Sequence, residues 1–353
     1  MKILDRYLRN AVLTSFFLVL MIIVGLDSLS AFLAELEDLE HNYQLKEALN
    51  FVLWTLPRRL VEFVPVATLI GCLMGLGFLA NNSELIVMRT AGVSVRRIVW
   101  GVLQPTLLIL LLSGLLSEIV VPYTEQVANS ERALLKGGQS SLRSGKGLWH
   151  REGNEILHIS AVSPSGSLYG VSRYVFDDAG HLLRSSYSEQ AHFENGQWQL
   201  TDSKVTELFE SHTQRQQLQS DNWSLKLRPE NVLLASADAE FLNVLALYHY
   251  AVYLEEQALN ASQYFLAFWK KLFKPLVTVA MVLIAVSFVF GPLRSVSMSF
   301  RVLVGVVVGL VFQQAQDFFA YASLVFNINP LLAIVIPVFV CASVGLFMLS
   351  RVR

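Results

Sequence analysis

Six apolar runs constrain this chain more than any other feature: Ala11–Leu33, Leu60–Ala80, Ile98–Val121, Leu272–Phe290, Val302–Ala322 and Pro330–Leu349. Each approaches or exceeds the ~20 residues an α-helix needs to cross a hydrocarbon core, where every backbone polar group must be satisfied within the segment. The expected class is therefore an α-helical integral membrane protein with six transmembrane helices. A mean hydropathy of +0.48 and a hydrophobic share of 54% exclude a disordered chain. Basic residues number 27 and acidic residues 28, a balance that offers nothing to a nucleic acid. Lys2, Arg6 and Arg9 precede the first run as they would in a signal peptide. Its apolar core is too long for that role and no small-x-small site follows, so it reads as a retained span. Cys72 and Cys341 lie inside apolar runs and read as small packed residues without a disulfide.

Lysine and arginine orient the spans. Arg89, Arg96 and Arg97 lie between spans two and three, Arg294 and Arg301 between spans four and five, and Arg351 and Arg353 at the end. The opposite loops are poor in basic residues: Glu35–Asn50 is acidic and Ser323–Asn329 carries no charge. Both termini are expected in the cytoplasm, and the long insert from about Tyr123 to Gln263 on the outer side.

That insert changes character. A helical run passes Arg132 and Leu135 and ends at Gly137-Gly138. Strand-like runs follow at Gly147–His150, Glu155–Val162, Leu168–Phe176, Leu182–Phe193, Gln197–Leu200, Lys204–Glu210 and Trp223–Leu227. Asn195-Gly196 is a strong hairpin signal, because a type I′ turn needs positive φ at both positions, and Asp178-Ala179-Gly180 marks another. The alternation is imperfect. A small antiparallel sandwich or open jelly roll fits best, giving three segments: spans one to three in 1–135, an inserted β-jellyroll-like domain in 136–240, and a return segment with spans four to six in 241–353.

Between spans two and three lies a short polar-ended stretch, NNSELIVMRTAGVSVRRI, Asn81 to Ile98. Asn82 or Ser83 can cap a helix there, Glu84 suits its first turn, and Gly92 offers a stop. A short helix over 82–92, held between two spans, is one that a partner can push.

Catalytic signals are weak. GGQSSLRSGKG at Gly137–Gly147 fails the phosphate-loop spacing, the seven histidines show no metal-ligand spacing, and Gly92-Val93-Ser94-Val95-Arg96 lacks the second glycine of a nucleophile elbow. Ionisable residues in or beside spans are costly and so informative. Glu62 and Glu118 read as polar caps or interhelical pairs, whereas Asp27 and Asp317, the latter near Gln313, Gln314 and Gln316, also fit a water-filled cavity. Ion binding at Asp27 and Asp317 would suit a secondary transporter, the competing functional class. Lys270, Lys271 and Lys274 sit at the outer end of span four, with Arg132 and Lys136 beyond span three. They fit either snorkelling to headgroups or a basic rim that holds an anionic lipid by its phosphates. Gly71-x-x-x-Gly75 and Gly305-x-x-x-Gly309 allow close helix approach, and the second pair is a candidate seam with another subunit.

Four motifs then carry a resemblance: ILDRY at Ile3–Tyr7, SELIVMRTAG at Ser83–Gly92, GLW at Gly147–Trp149 and FGPLRSVSM at Phe290–Met298. With the six-span layout and its insert, the chain resembles the LptF/LptG permease family of the bacterial lipopolysaccharide exporter over essentially its whole length. The resemblance implies an ABC transporter of the inner membrane in which the LptF and LptG permeases pair as a heterodimer. Two copies of a separate ATPase, LptB, would drive it, and a single-span protein, LptC, would join it. ATP and Mg would sit on that ATPase, with no cofactor on the permease and no enzyme activity of its own. Lipopolysaccharide would pass from the membrane to a periplasmic bridge of stacked β-jellyrolls. The family's coupling helix maps onto Ser83, Glu84, Leu85, Met88, Arg89 and Gly92, with Glu84 as its acidic contact. Relatives can carry lysines after span one where this chain has Glu35, Glu37, Asp38 and Glu40. The implied lipid-phosphate contacts therefore fall to other cations such as Arg132, or to cations bridged by those carboxylates.

Overall fold

The computed structural model describes residues 2–39, 43–135, 148–163, 166–194, 196–209, 212–223, 229, 232, 234, 238–256, 259–290, 296–326 and 328–350. The helices are α1 (Lys2–Glu37), α2 (Leu45–Asn81), α3 (Glu84–Thr90) and α4 (Val95–Leu115), the last running through one π turn (Leu116–Val120) into α5 (Val121–Leu135). Six strands follow: β1 (Leu148–Glu152), β2 (Glu155–Val162), β3 (Leu168–Phe176), β4 (Leu182–Glu194), β5 (Gln197–Leu208) and β6 (Thr213–Trp223). A 3₁₀ turn (Ala239–Phe241) precedes α6 (Val244–Glu256), α7 (Ser262–Phe290), α8 (Met298–Val325) and α9 (Pro330–Ser350). Six stretches are long and apolar enough to cross a membrane: α1, α2, α4 with its continuation, α7, α8 and α9. At 1.5 Å per residue the 36 residues of α1 reach about 54 Å, well beyond a hydrocarbon core of ~30 Å.

The chain forms two compact units. One holds Met1–Ser30, Leu56–Val120 and Asn243–Arg353; the other holds Ala31–Thr55 and Val121–Leu242. The second unit thus joins the C-terminal end of α1, the N-terminal end of α2 and all of α5 to the β strands. Helices that overrun a membrane have ends to spare for a second core.

In the first unit, α2 is the innermost span. Its glycines let α1 approach closely: a Cβ at Gly71 would lie 2.7 Å from the Phe16 Cα, and one at Gly75 would lie 3.0 Å from the Ala11 carbonyl oxygen. On α8, Gly305 and Gly309 face Leu73 and Leu69 of α2. The small-residue pair expected at a subunit seam thus packs against this chain's own α2. The apolar core runs from Leu8 and Val12 of α1 through Leu69, Leu73 and Leu76 of α2 to Met281 and Val282 of α7, and it includes Leu85 and Met88 of α3.

In the second unit the strands form one antiparallel meander, β1-β2-β3-β4-β5-β6. Glu194 pairs with Gln197 across the expected β4–β5 hairpin, whose Asn195 lies outside the described residues. β5 is one strand where two were expected, and the polar run Thr213–Trp223, in which no strand was expected before Trp223, pairs with it as β6. Of the strand expected at Trp223–Leu227, only Trp223 is described, and it ends β6.

Strict alternation fails here for a physical reason. The core takes Leu157 and Ile159 from β2 and then Val162; it takes Leu168 from β3 and then Val171. In β5, Trp198 and Leu200 are buried before Asp202, and Ser203 and Val205 after it. Side chains alternate along a strand, so both halves can bury the same face only if the backbone turns over once between them. Gly170 at φ +61° and Asp202 at φ +51° make that turn, a region open to glycine and tolerated by aspartate. The turned-over positions are neighbours across the sheet and form a crease. Ser160 donates to the Gly170 carbonyl at 3.0 Å, and Glu189 and Asp202 are flanked by the pairs Ser188–Ser203 and Gln190–Thr201. The Arg173 guanidinium of β3 lies 5.7 Å from the Trp223 ring of β6, three strands away and therefore about 14 Å off in a flat sheet. The sheet is rolled along its crease around one core, within simple meander connectivity.

Candidate functional site

The turn between spans two and three is built by backbone geometry. Ser83 adopts a left-handed conformation at φ +59° and makes no side-chain cap, contrary to the expected role for its hydroxyl. Its carbonyl instead accepts the Ile86 and Val87 N–H groups. At the far end Gly92 is left-handed at φ +87°. The Gly92 N–H reaches the Arg89 carbonyl and the Val93 N–H reaches the Met88 carbonyl, at 3.0 Å each. This pair of bonds is a Schellman motif, and the glycine supplies its left-handed residue without a Cβ penalty.

The short helix has two faces. Leu85 at 4% exposure and Met88 at 7% anchor it in the core of the first unit. Ile86 at 45% and Val87 at 64% point away from that core. Of the six residues expected at partner contact, Leu85 and Met88 are therefore packed into the core, while Ile86 and Val87, not among the six, are exposed. Helical spacing could have shown this, since 85 and 88 share one face and 86 and 87 another.

Two contacts fasten α3 and its exit to the start of α1. Arg97 grips Asp5 with both ends of its guanidinium, at 3.1 and 3.4 Å, and the Tyr7 hydroxyl hydrogen-bonds to Glu84. Asp5 and Tyr7 were not singled out as site residues, although both belong to the ILDRY motif.

Three of the five cations expected at lipid phosphates already hold carboxylates. In the second unit Arg132 meets Glu35 at 2.9 Å and Asp38 at 2.8 Å, and its guanidinium lies 5.0 Å from the Phe51 ring. The buried Tyr43 hydroxyl donates to Glu35 at 2.9 Å. Burial, and then that hydrogen bond to a carboxylate, push the Tyr43 phenol well above its ordinary range. In the first unit Lys270 pairs with Asp317 at 2.9 Å, Lys271 with Glu118 at 3.0 Å, and Arg59 with Asp27. The carboxylates on which ion-driven transport would rest are thus each paired with a cation. Lys274 lies on α7, and Lys136 lies outside the described residues. Among the described residues no cluster of three or more histidine, cysteine or acidic side chains could hold a metal ion.

Comparison with known proteins agrees with this layout. A family model described as lipopolysaccharide export system permease LptF/LptG matches residues 6–351. The lipopolysaccharide export system permease protein LptG of Escherichia coli K12 is 32% identical over 353 residues, covering 99% of this chain and 98% of the relative. Its namesake from Haemophilus influenzae Rd is 30% identical over 353 residues, covering 99% of both.

Proposed function

This chain belongs to the LptF/LptG family of lipopolysaccharide export permeases, and from that premise we propose that it is a permease subunit of an ABC transporter that removes lipopolysaccharide from the inner membrane. The observation that carries the reading is α3: a seven-residue helix between two spans, bolted to the core by Leu85 and Met88, with Ile86 and Val87 left exposed. Such a helix moves only with the spans that hold it. The docking surface for a separate ATPase is the exposed side, Ile86 and Val87, with Glu84 and Arg89 at its margins.

ATP and Mg bind that partner ATPase, LptB, present in two copies; this chain supplies no hydrolytic group. A second permease, LptF, completes the cavity, and LptC joins the assembly. Both termini and α3 are cytoplasmic, and the β domain is periplasmic, where it hands the lipid to a jellyroll bridge. ATP closure displaces α3. The Schellman turn at Gly92 and the Asp5–Arg97 pair then pass that displacement to α4 and α1. A nucleotide can shift such an equilibrium only by its differential affinity for the two states. Arg132, Lys136, Lys270 and Lys274 serve lipid phosphates, an incoming phosphate replacing the carboxylates that hold Arg132 and Lys270, whereas Lys271, only 11% exposed, stays with Glu118.

Purification of the detergent-solubilised chain tests this. Recovery of a second permease and an ATPase, with lipopolysaccharide-stimulated hydrolysis, is expected. Failure to recover an ATPase under conditions that preserve such complexes overturns the reading.

A further inference from the structure

The chain leaves the first unit at Val120 and re-enters it at Asn243, and one side chain ties these two points together. Glu118 lies in the π turn (Leu116–Val120), two residues before the exit. Its carboxylate accepts the N–H of Val244, one residue after the return, at 2.9 Å. It also pairs with Lys271 of α7 at 3.0 Å, and the same ammonium donates to the Ser117 carbonyl at 3.1 Å. Val244 opens α6, whose first N–H groups have no helical acceptor, and a carboxylate there suits the helix dipole. A single π turn inside a long helix frees backbone carbonyls from the regular pattern and recurs at functional positions. Three elements therefore converge on one carboxylate: the end of α4, the start of α6, and α7.

The other excursion into the second unit is closed in the same way. The chain leaves after Ser30 and returns at Leu56. Asp27, three residues before the exit, is paired with Arg59, three residues after the return. Apolar packing alone would not place a carboxylate beside each crossing.

We propose that Glu118 is a positioning residue that clasps the neck of the inserted β domain, so that a displacement of α3 carried along α4 reaches α6 and α7 together. This deepens the exporter reading and rests on it. An exposed ion pair would contribute almost nothing; here the Lys271 side chain is 11% exposed and that of Glu118 37%. Removing the carboxylate takes this counter-charge from a half-buried ammonium.

The test uses the complete transporter in proteoliposomes containing lipopolysaccharide, with ATP hydrolysed and lipid extracted measured in parallel. Glu118→Gln keeps an oxygen for the Val244 N–H and loses the ion pair. It is expected to hydrolyse ATP within about twofold of wild type while lipid extracted per ATP falls about five- to tenfold, inside the roughly two- to thirtyfold range of coupling changes for residues between two sites. The double variant Glu118→Gln with Lys271→Gln is expected to lose no more extraction per ATP than Glu118→Gln alone, because both changes break one pair. Unchanged extraction per ATP in Glu118→Gln overturns the clasp. So do losses that multiply in the double variant, because Lys271 would then be acting on the lipid itself. A wild-type chain that supports no ATP-dependent extraction overturns the exporter reading before any variant is compared.

Discussion

Val87→Asp and Leu85→Ala separate the two faces of α3, because the structure assigns opposite consequences to neighbouring residues. Leu85 is 4% exposed and packs in the core of the first unit. Its truncation loses the transfer free energy of the side chain and leaves a cavity, together about 2–5 kcal/mol. Val87 is 64% exposed, so its replacement is expected to change stability by no more than about 0.5 kcal/mol. A carboxylate there is nonetheless placed in the middle of the proposed ATPase-docking surface. A desolvated unpaired charge costs several kcal/mol, enough to lower ATPase recovery by about a hundredfold at 1.4 kcal/mol per decade. The assay is two measurements on each purified variant: thermal unfolding of the solubilised chain and the amount of ATPase that copurifies. Leu85→Ala should unfold several degrees early. Val87→Asp should unfold with the wild type and come down without the ATPase. Full ATPase recovery by Val87→Asp refutes the docking surface, and a wild-type melting profile for Leu85→Ala refutes the anchoring.

Gly71→Leu should be among the most damaging single changes, since its Cβ meets the Phe16 backbone. Gly309→Ala meets the side-chain tips of Leu69 and Val66 and should cost about 1–3 kcal/mol in the same melting assay, without altering subunit composition. Arg132→Ala leaves Glu35, 7% exposed, without its cation. Limited proteolysis of the β domain should reveal a loss of roughly 3–5 kcal/mol, smaller in Arg132→Lys. Tyr43 makes stability fall at high pH. Its folded pKa is raised by burial and by Glu35, so its contribution is whole below the ordinary tyrosine value of 10.0 and is lost as pH rises beyond it. The alkaline limb of a pH–stability curve should therefore flatten in Tyr43→Phe.

Much of this arrangement is legible in the residues themselves. Membrane helices announce their positions because a hydrocarbon core admits no polar interruption, and all six runs lie in helices long and apolar enough to span. The stop at Gly92 is equally readable, since few residues other than glycine take a left-handed φ without strain. Strand β6 was not, because its sequence TQRQQLQSDNW supplies backbone hydrogen bonds to β5 without an apolar face. The crease hid the inner face of the sheet as well, since reversing side-chain parity at Gly170 and Asp202 destroys the period-two signal.

Charge was read least well. Lysines and carboxylates beside spans could be seen singly, but which of them meet could not, because the partners are far apart in the chain. Glu118 and Lys271 are 153 residues apart, the difference of their positions, and Arg132 and Glu35 are 97 apart. The sequence by itself determined the six spans, the short helix between two of them and an inserted β domain, for each follows from local propensity and from what a hydrocarbon core excludes. Tertiary structure alone decided which face of α3 is free, that Gly305 and Gly309 pack against α2, and which cations hold which carboxylates. Those are properties of surfaces brought together by folding, and no periodicity along the chain encodes them.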